Sequence, residues 1–272
     1  MPARVSDYYR TAFVTGASTG LGRAFAEMLL ADGVRVWGTS RDSARLVDVP
    51  GLQPIALDLR DGAAAVEAFR RADRAAGGFD LVINNAGFGV FAEFAGADFA
   101  VWEEQLAVML VNPARLAHAA LPGMLARRRG ALVNISSLAT EFPLPFQSAY
   151  NMVKSGLSAL SESLIIETAG TGVVVLDVRP GDYRTEIEGS VRHPQAAPTP
   201  RMRRAWAAFE KMMAQGHAPA HAAAALRRAL LRRRSGTVRM GRFSQAVAAP
   251  LLARFGSLPL KRRVQARYFD AG

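Results

Sequence analysis

The sequence predicts an α/β fold: a doubly wound parallel sheet of about seven strands, with helices on both faces and a helical, basic C-terminal extension. Three observations carry that expectation. Short apolar, strand-like runs alternate with longer helix-like runs from residue 11 onward. A glycine-rich turn joins the first strand to the first helix. The chain has 272 residues, half of them hydrophobic, which fits one large α/β domain with a sizeable core.

The elements follow in order. Thr11-Ala-Phe-Val-Thr15 is the first strand, and Leu21 to Ala31 is a helix that stops at Asp32-Gly33. Val34 to Thr39 and Gln53 to Leu57 are the second and third strands. A helix over Ala63 to Ala75 leads to the fourth strand, Asp80 to Ile83. A long helix covers roughly Asp98 to Arg128, with a break expected at Pro113. Ala131 to Ile135 is the fifth strand, Ser148 to Thr168 a helix, and Val173 to Val178 the sixth strand. After Gly181 the period is lost, and residues 182–200 read as a loop that could serve as a lid. Ala218 to Arg234 is a basic helix, Thr237 to Met240 a seventh, edge strand, and Phe243 to Phe269 one or two amphipathic helices. Residues 10–190 are therefore read as the core, and 191–272 as a substrate loop and extension of the same domain.

Composition narrows the functional classes. There is no cysteine, so no disulfide or cysteine-metal framework exists, and no metal site is expected from the four scattered histidines. No apolar run is long enough to span a bilayer, and the first ten residues lack a signal-peptide core. A soluble, cytoplasmic protein is the expectation. The net charge of +11 lies wholly in the last quarter, where sixteen Lys and Arg face only Glu210 and Asp270. Solvated helix faces account for such a run, and no nucleic-acid partner is expected. A peripheral contact with an anionic membrane through residues 200–272 stays open.

The first turn reads Thr15-Gly16-Ala17-Ser18-Thr19-Gly20-Leu21-Gly22. Gly16 permits a sharp turn, Gly20 a close approach of backbone to a pyrophosphate, and Gly22 close helix–strand packing. The helix that follows aims free N–H groups and the positive end of its dipole at the phosphates. The second strand ends at Ser40-Arg41-Asp42, where the adenosine ribose is met in such folds. A guanidinium at Arg41 would clamp a 2′-phosphate, so NADP(H) is favoured over NAD(H). A one-residue change in register would present Asp42 instead and keep NAD(H) in play.

Tyr150 and Lys154 are four residues apart on one helix, so they share a face. A neighbouring ammonium is expected to pull the phenol's pKa down towards neutrality, making Tyr150 a proton donor or acceptor. Ser137 lies just beyond the fifth strand, thirteen residues before Tyr150, where its hydroxyl could bond a substrate oxygen. Ser136 competes for that role.

With these motifs in place, and with Asn84-Asn-Ala-Gly87 and Pro180-Gly181 followed by Thr185, the chain resembles the short-chain dehydrogenase/reductase family in its single-domain form. The resemblance covers roughly residues 10–190. It implies a Rossmann-like sheet, an NADP(H)-dependent carbonyl–alcohol oxidoreductase, and Ser137, Tyr150 and Lys154 as the catalytic group. It implies cofactor contacts from Gly16, Ser18, Thr19, Gly20, Leu21, Gly22, Arg41, Asp58, Asn85, Ala86, Gly87, Tyr150, Lys154, Pro180, Gly181 and Thr185. Asp58 would meet the adenine, Asn84 would steady the fourth strand, and Pro180, Gly181 and Thr185 would meet the nicotinamide. The basic extension, with Leu258-Pro259 and a final Arg-Tyr-Phe, is similar to members acting on steroids, retinoids and other hydrophobic alcohols. A homodimer or homotetramer is implied, paired through the helices near 100–128 and 148–168.

One position departs from the family pattern. The helix before the fifth strand usually carries an asparagine that anchors a relay water; here that position falls on Met109, with Asn112 a turn later. Either Asn112 or the Met109 carbonyl, left without a helical donor by Pro113, would then hold the water. A catalytically impaired, cofactor-binding regulatory or scaffold protein is the alternative that Met109 raises. For the substrate, Phe88, Val90, Phe91, Phe142 to Phe146 and Tyr183 point to an apolar pocket taking a hydrophobic ketone, aldehyde or secondary alcohol. Sugar-nucleotide epimerases also use a Tyr-x3-Lys pair, but the glycine spacing and the short chain argue against them.

Overall fold

The computed structural model describes residues 2–185, 191–194 and 197–269. In chain order the described strands are β1 (Thr11–Val14), β2 (Arg35–Ser40), β3 (Gln53–Ala56), β4 (Leu81–Asn84), β5 (Gly89–Val90), β6 (Gly130–Ile135), β7 (Val173–Pro180), β8 (Val191–Arg192) and β9 (Gly236–Met240). The helices are α1 (Gly20–Ala31), α2 (Gly62–Ala76), α3 (Phe99–Leu106), α4 (Asn112–Ala126), α5 (Ser148–Glu167), α6 (Pro200–Ala214), α7 (Pro219–Arg232), α8 (Ala249–Phe255) and α9 (Leu258–Tyr268).

Seven strands form one sheet in the order β3-β2-β1-β4-β6-β7-β9, and every neighbouring pair is parallel. β1, β4 and β6 are buried along their whole length. That burial explains why they read as unbroken apolar runs rather than as alternating ones. The chain winds outward from β1 to β3, then returns to β4 on the other side. This reversal opens a crevice at the carboxyl ends of β1 and β4, where open α/β sheets bind ligands.

Helices cover both faces. On one, Phe25 and Leu29 of α1 pack with Leu226 and Leu230 of α7. On the other, Phe69 of α2, Leu116 and Met124 of α4 and Val153 of α5 share a buried cluster with Phe13, whose ring is edge-on to Phe69 at 5.1 Å. A smaller cluster seats the rim: Val90, Phe91, Trp102, Ala149, Met202 and Ala205 are all buried together.

The structure departs from the sequence expectations in three places. Helix α6 went unread, although Thr199 caps it by accepting from Met202 N at 3.3 Å and Pro200 opens its first turn. The break in the long helix is a π-type turn over Ala107–Val111, one turn before Pro113. Pro113 itself stands in the first turn of α4, where its missing N–H costs little. Within the expected lid, Val191–Arg192 pairs parallel with Gly89–Val90; residues 186–190 and 195–196 of that loop lie outside the described residues. Among the described residues no helix is long and apolar enough to cross a membrane.

Candidate active site

A cavity of about 1090 Å³ lies at the carboxyl ends of the strands. The glycine turn forms one wall with Gly16, Ser18, Thr19, Gly20 and Leu21. Gly16 and Gly20 take positive φ, +66° and +57°, which non-glycine residues adopt only with strain. Gly22 does not reach the cavity. A Cβ there would meet the Gly16 carbonyl oxygen at 2.1 Å, so its role is the close packing of helix on turn. Thr19 precedes α1 without a side-chain cap, which leaves the first N–H groups of the helix facing the cavity.

The next strand end secures this turn. Asn85 Nδ2 donates to the carbonyls of Thr15 and Gly16 at 3.0 and 3.2 Å. Thr15 Oγ1 accepts from the backbone N–H of Asn85 and of Ala86, at 2.8 and 3.0 Å. Asn85, Ala86 and Gly87 line the cavity. Asn84 faces the other way, donating to Asn134 Oδ1 at 2.9 Å and to the Pro113 carbonyl at 3.2 Å.

At the β2 end, Ser40 and Arg41 line the cavity and Asp42 does not. Asp42 is engaged elsewhere, accepting from Ala44 N at 3.0 Å to cap the short turn Ser43–Leu46. That turn carries Arg45 to the same wall, a cation the sequence reading missed. Asp58 lines the wall as well, paired with Arg60 through Nε at 2.8 Å. The Arg60 guanidinium, helped by the charge of Arg41, holds the Asp58 carboxyl below the usual range. This end of the cavity is thus basic, with Arg41, Arg45 and Arg60 about Asp58, while Glu104 on the same wall is paired with Arg192 at 2.6 Å.

Ser137, Tyr150 and Lys154 converge in the middle. The two serines separate cleanly. Ser136 is buried and donates to Asp177 Oδ1 at 2.5 Å. Ser137 Oγ accepts from Ala139 N at 3.0 Å, which leaves its O–H to donate, and it lies within hydrogen-bonding reach of Tyr150. Lys154 is buried; its Nζ donates to the Ile135 carbonyl at 2.7 Å and stands 5.6 Å from the Tyr150 ring centre.

The electrostatics correct one expectation. Burial, with a smaller push from the Asp182 charge, drives the Tyr150 phenol above its ordinary value, and the Ser137 hydrogen bond offsets only part. The Lys154 ammonium, 5.6 Å from the Tyr150 ring centre, does not offset that rise. Burial lowers the Lys154 pKa to about 8, against an opposing pull from Asp177. Asp177 is fully buried and held by Ser136, Ser158 and Arg179, the last two at 2.8 and 2.7 Å.

Behind Tyr150, Met109 is buried and its sulfur accepts weakly from Phe88 N at 3.5 Å. Asn112 points away from the site, donating to the Leu59 carbonyl at 2.6 Å. The structure therefore discards Asn112 as a ligand for a relay water, since its amide braces α4 against the segment after β3.

The remaining walls mix residues expected and missed. Pro180, Gly181 and Thr185 line the cavity, and Thr185 Oγ1 is buried without a hydrogen-bond partner. Phe88, Phe142, Leu144 and Tyr183 also line it, whereas Val90, Phe91, Pro143, Pro145 and Phe146 do not. Val90 and Phe91 instead fill the rim cluster, with Phe146 packed against it. Helices α6, α8 and α9 supply apolar wall that went unread, including Phe209, Met213, Leu252 and Val264. Asp182 is a polar exception; it accepts from Gln245 and from Tyr268 OH at 3.4 Å.

Comparison with known proteins adds to this geometry. The sequence profile described as short chain dehydrogenase matches residues 10–196. An uncharacterised oxidoreductase of Myxococcus xanthus is 38% identical over 198 residues, 68% of this chain and 77% of its own. The crystal structure of a short-chain dehydrogenase from Streptomyces avermitilis superposes with a TM-score of 0.82 at 31% identity, over 97% of both chains. A metagenomic short-chain oxidoreductase solved in complex with NADP has a TM-score of 0.61 at 36% identity, over 64% of this chain and 82% of its own.

Proposed function

The chain belongs to the short-chain dehydrogenase family, and we propose that it is an NADP(H)-dependent oxidoreductase that interconverts a hydrophobic carbonyl compound and its alcohol, with Tyr150 as the acid/base. The observation that carries this reading is the meeting of Ser137, Tyr150 and Lys154 in the cavity that the glycine turn opens onto.

The residues present fit a phosphorylated dinucleotide. The turn has glycines where a Cβ would intrude, and the helix behind it is uncapped. Arg41 and Arg45 stand where a 2′-phosphate would be met, while Asp42 is occupied with its own turn. The unpartnered Thr185 hydroxyl is a ready partner for a polar group bound over Gly20. Ser18, Thr19, Leu21, Asn85, Ala86, Gly87, Pro180 and Gly181 would complete the cradle, with Asp58 beside the adenine. The metagenomic relative solved with NADP supports the same cofactor here.

Bound NADPH would supply the hydride. The chain's own groups manage the oxygen. Ser137 donates its free O–H to the substrate carbonyl, fixing it beside Tyr150 and stabilising the charge that grows on the oxygen. Tyr150 then donates its proton. Its raised pKa keeps the phenol protonated at neutral pH, the form that reduction requires. Lys154, protonated below about pH 8, sets a positive charge behind the phenol and offers a donor for the cofactor ribose. The apolar walls from α6, α8 and α9 favour a ketone, aldehyde or secondary alcohol of low polarity. The exposed Val111, Leu125, Met152 and Ile166, on and beside α4 and α5, suit a homo-oligomer contact.

Turnover of a panel of hydrophobic ketones and aldehydes with NADPH and NADH side by side tests the proposal. NADPH should be preferred. Arg41→Ala should raise KM for NADPH by roughly tenfold or more, the worth of a hydrogen bond to a charged group, and leave NADH unchanged. A preference for NADH would overturn the Arg41 assignment. Cofactor binding without turnover of any carbonyl would favour a regulatory or scaffold role instead.

A further inference from the structure

The last part of the chain has two faces, and only one is accounted for by the cavity. Inward, Gln245, Ala248, Leu252, Val264, Gln265 and Tyr268 close its mouth. This segment is pinned by Gln245 and Tyr268 on Asp182, and by Gln265 Nε2 donating to the Pro143 carbonyl at 3.0 Å. Phe243, Val247, Leu251, Phe255, Leu258 and Leu260, none of which lines the cavity, are exposed, with Phe243 and Phe255 each 76% accessible. Large apolar side chains so exposed and so close in sequence mark an interaction surface.

Charge decides what that surface meets. From Arg242 to Phe269 the sequence has six cations and no acid. Among the described residues, Arg254, Lys261, Arg262, Arg263 and Arg267 enter no salt bridge. A second copy seated on this face by two-fold symmetry would set those cations against their own images. A membrane with anionic headgroups meets both demands at once: the headgroups pair with the cations, and the acyl boundary takes the phenylalanines and leucines. Helices α8 and α9 are too short to span a bilayer but suit lying in its interface.

We propose that residues 242–269 form a peripheral membrane-binding lid that sets the mouth of the cavity against an anionic lipid surface. The substrate then enters from the bilayer and is a lipid-soluble carbonyl or alcohol. That second step rests on the functional reading above; the membrane contact does not.

The test is sedimentation of the full-length protein with vesicles of phosphatidylcholine alone, and with phosphatidylglycerol added. The protein should pellet with the anionic vesicles at low salt, and less as salt rises. Arg262→Gln with Arg263→Gln should weaken partitioning by about 25-fold, at roughly fivefold per cation. Phe255→Ser with Leu258→Ser should also release the protein. Neither pair lines the cavity, so turnover of a small water-soluble carbonyl should be kept in both, which also reports correct folding. No binding to anionic vesicles at low salt, or equal binding by wild type and both variants, would overturn the proposal. So would light scattering in which Phe255→Ser with Leu258→Ser lowers the oligomeric state, because the face would then be covered by a second copy. Because pelleting needs no turnover, its outcome stands apart from that of the carbonyl panel.

Discussion

Around Gly16, the cavity is walled by backbone that is bonded across the sheet. Asn85 and Thr15 exchange hydrogen bonds over some seventy residues of sequence, and Gly22 rests on the Gly16 carbonyl. Around Asp182, the wall is made by side chains on helices that come late in the chain, held by a few polar contacts. The first arrangement leaves almost no latitude, since a methyl group at Gly22 would collide with main chain. The second can be changed one side chain at a time without disturbing the sheet. A fold that holds a dinucleotide in a fixed cradle and varies its substrate wall is served by that division.

The sharpest way to break the comparison is Tyr150→Phe. If chemistry and cofactor binding are separable, kcat should fall by about 10³-fold, the usual worth of a general acid, with the dissociation constant for NADPH unchanged. Equal losses in both would show that the two ends are one unit. Lys154→Met probes the boundary between them. Burial has lowered the Lys154 pKa from 10.5 to about 8, so below pH 8 the folded protein bears the cost of a buried charge. The unfolded chain holds that proton up to 10.5, so the cost fades as pH rises from about 8 to 10.5. Lys154→Met should therefore be more stable than wild type by on the order of 1–3 kcal/mol at pH 7. In thermal unfolding across pH, that gap should close over the same interval; a constant gap would contradict the assignment. The smallest effect belongs to Asn112→Ala. Losing the bond to Leu59 should cost about 1–2 kcal/mol of stability and leave kcat nearly unchanged. A fall in kcat with no change in Tm would return Asn112 to the proton path.

The same division governs what could be read from sequence. The glycine turn, Tyr150, Lys154 and the succession of core strands and helices rest on local spacing and apolar runs, and the elements that were read formed within two or three residues of their expected bounds. Arg41 and Asp42 were told apart only by the Asp42 cap on Ala44, a detail of one short turn. The pocket fared worse. Phe91 and Phe146 are as aromatic as Phe142 but turn into the rim cluster, and no periodicity separates them. The seating of the C-terminal helices on the cavity was out of reach for another reason: Gln265 meets Pro143 across 122 residues, a pairing no local pattern encodes. Helix α6 is different, since its Thr199-Pro200 start was present and simply went unread.

Strand β9 carries a consequence for how the protein is made. Gly181 N donates to the Met240 carbonyl at 2.7 Å, and α1 packs its apolar face on α7. Both partners, Met240 and α7 (Pro219–Arg232), are made long after α1. During synthesis the first two hundred residues leave the ribosome with one side of α1 bare and the Pro180–Gly181 ledge unsupported. That side of the fold is completed only when α7 and β9 have emerged, and until then the nascent chain carries an uncovered apolar face.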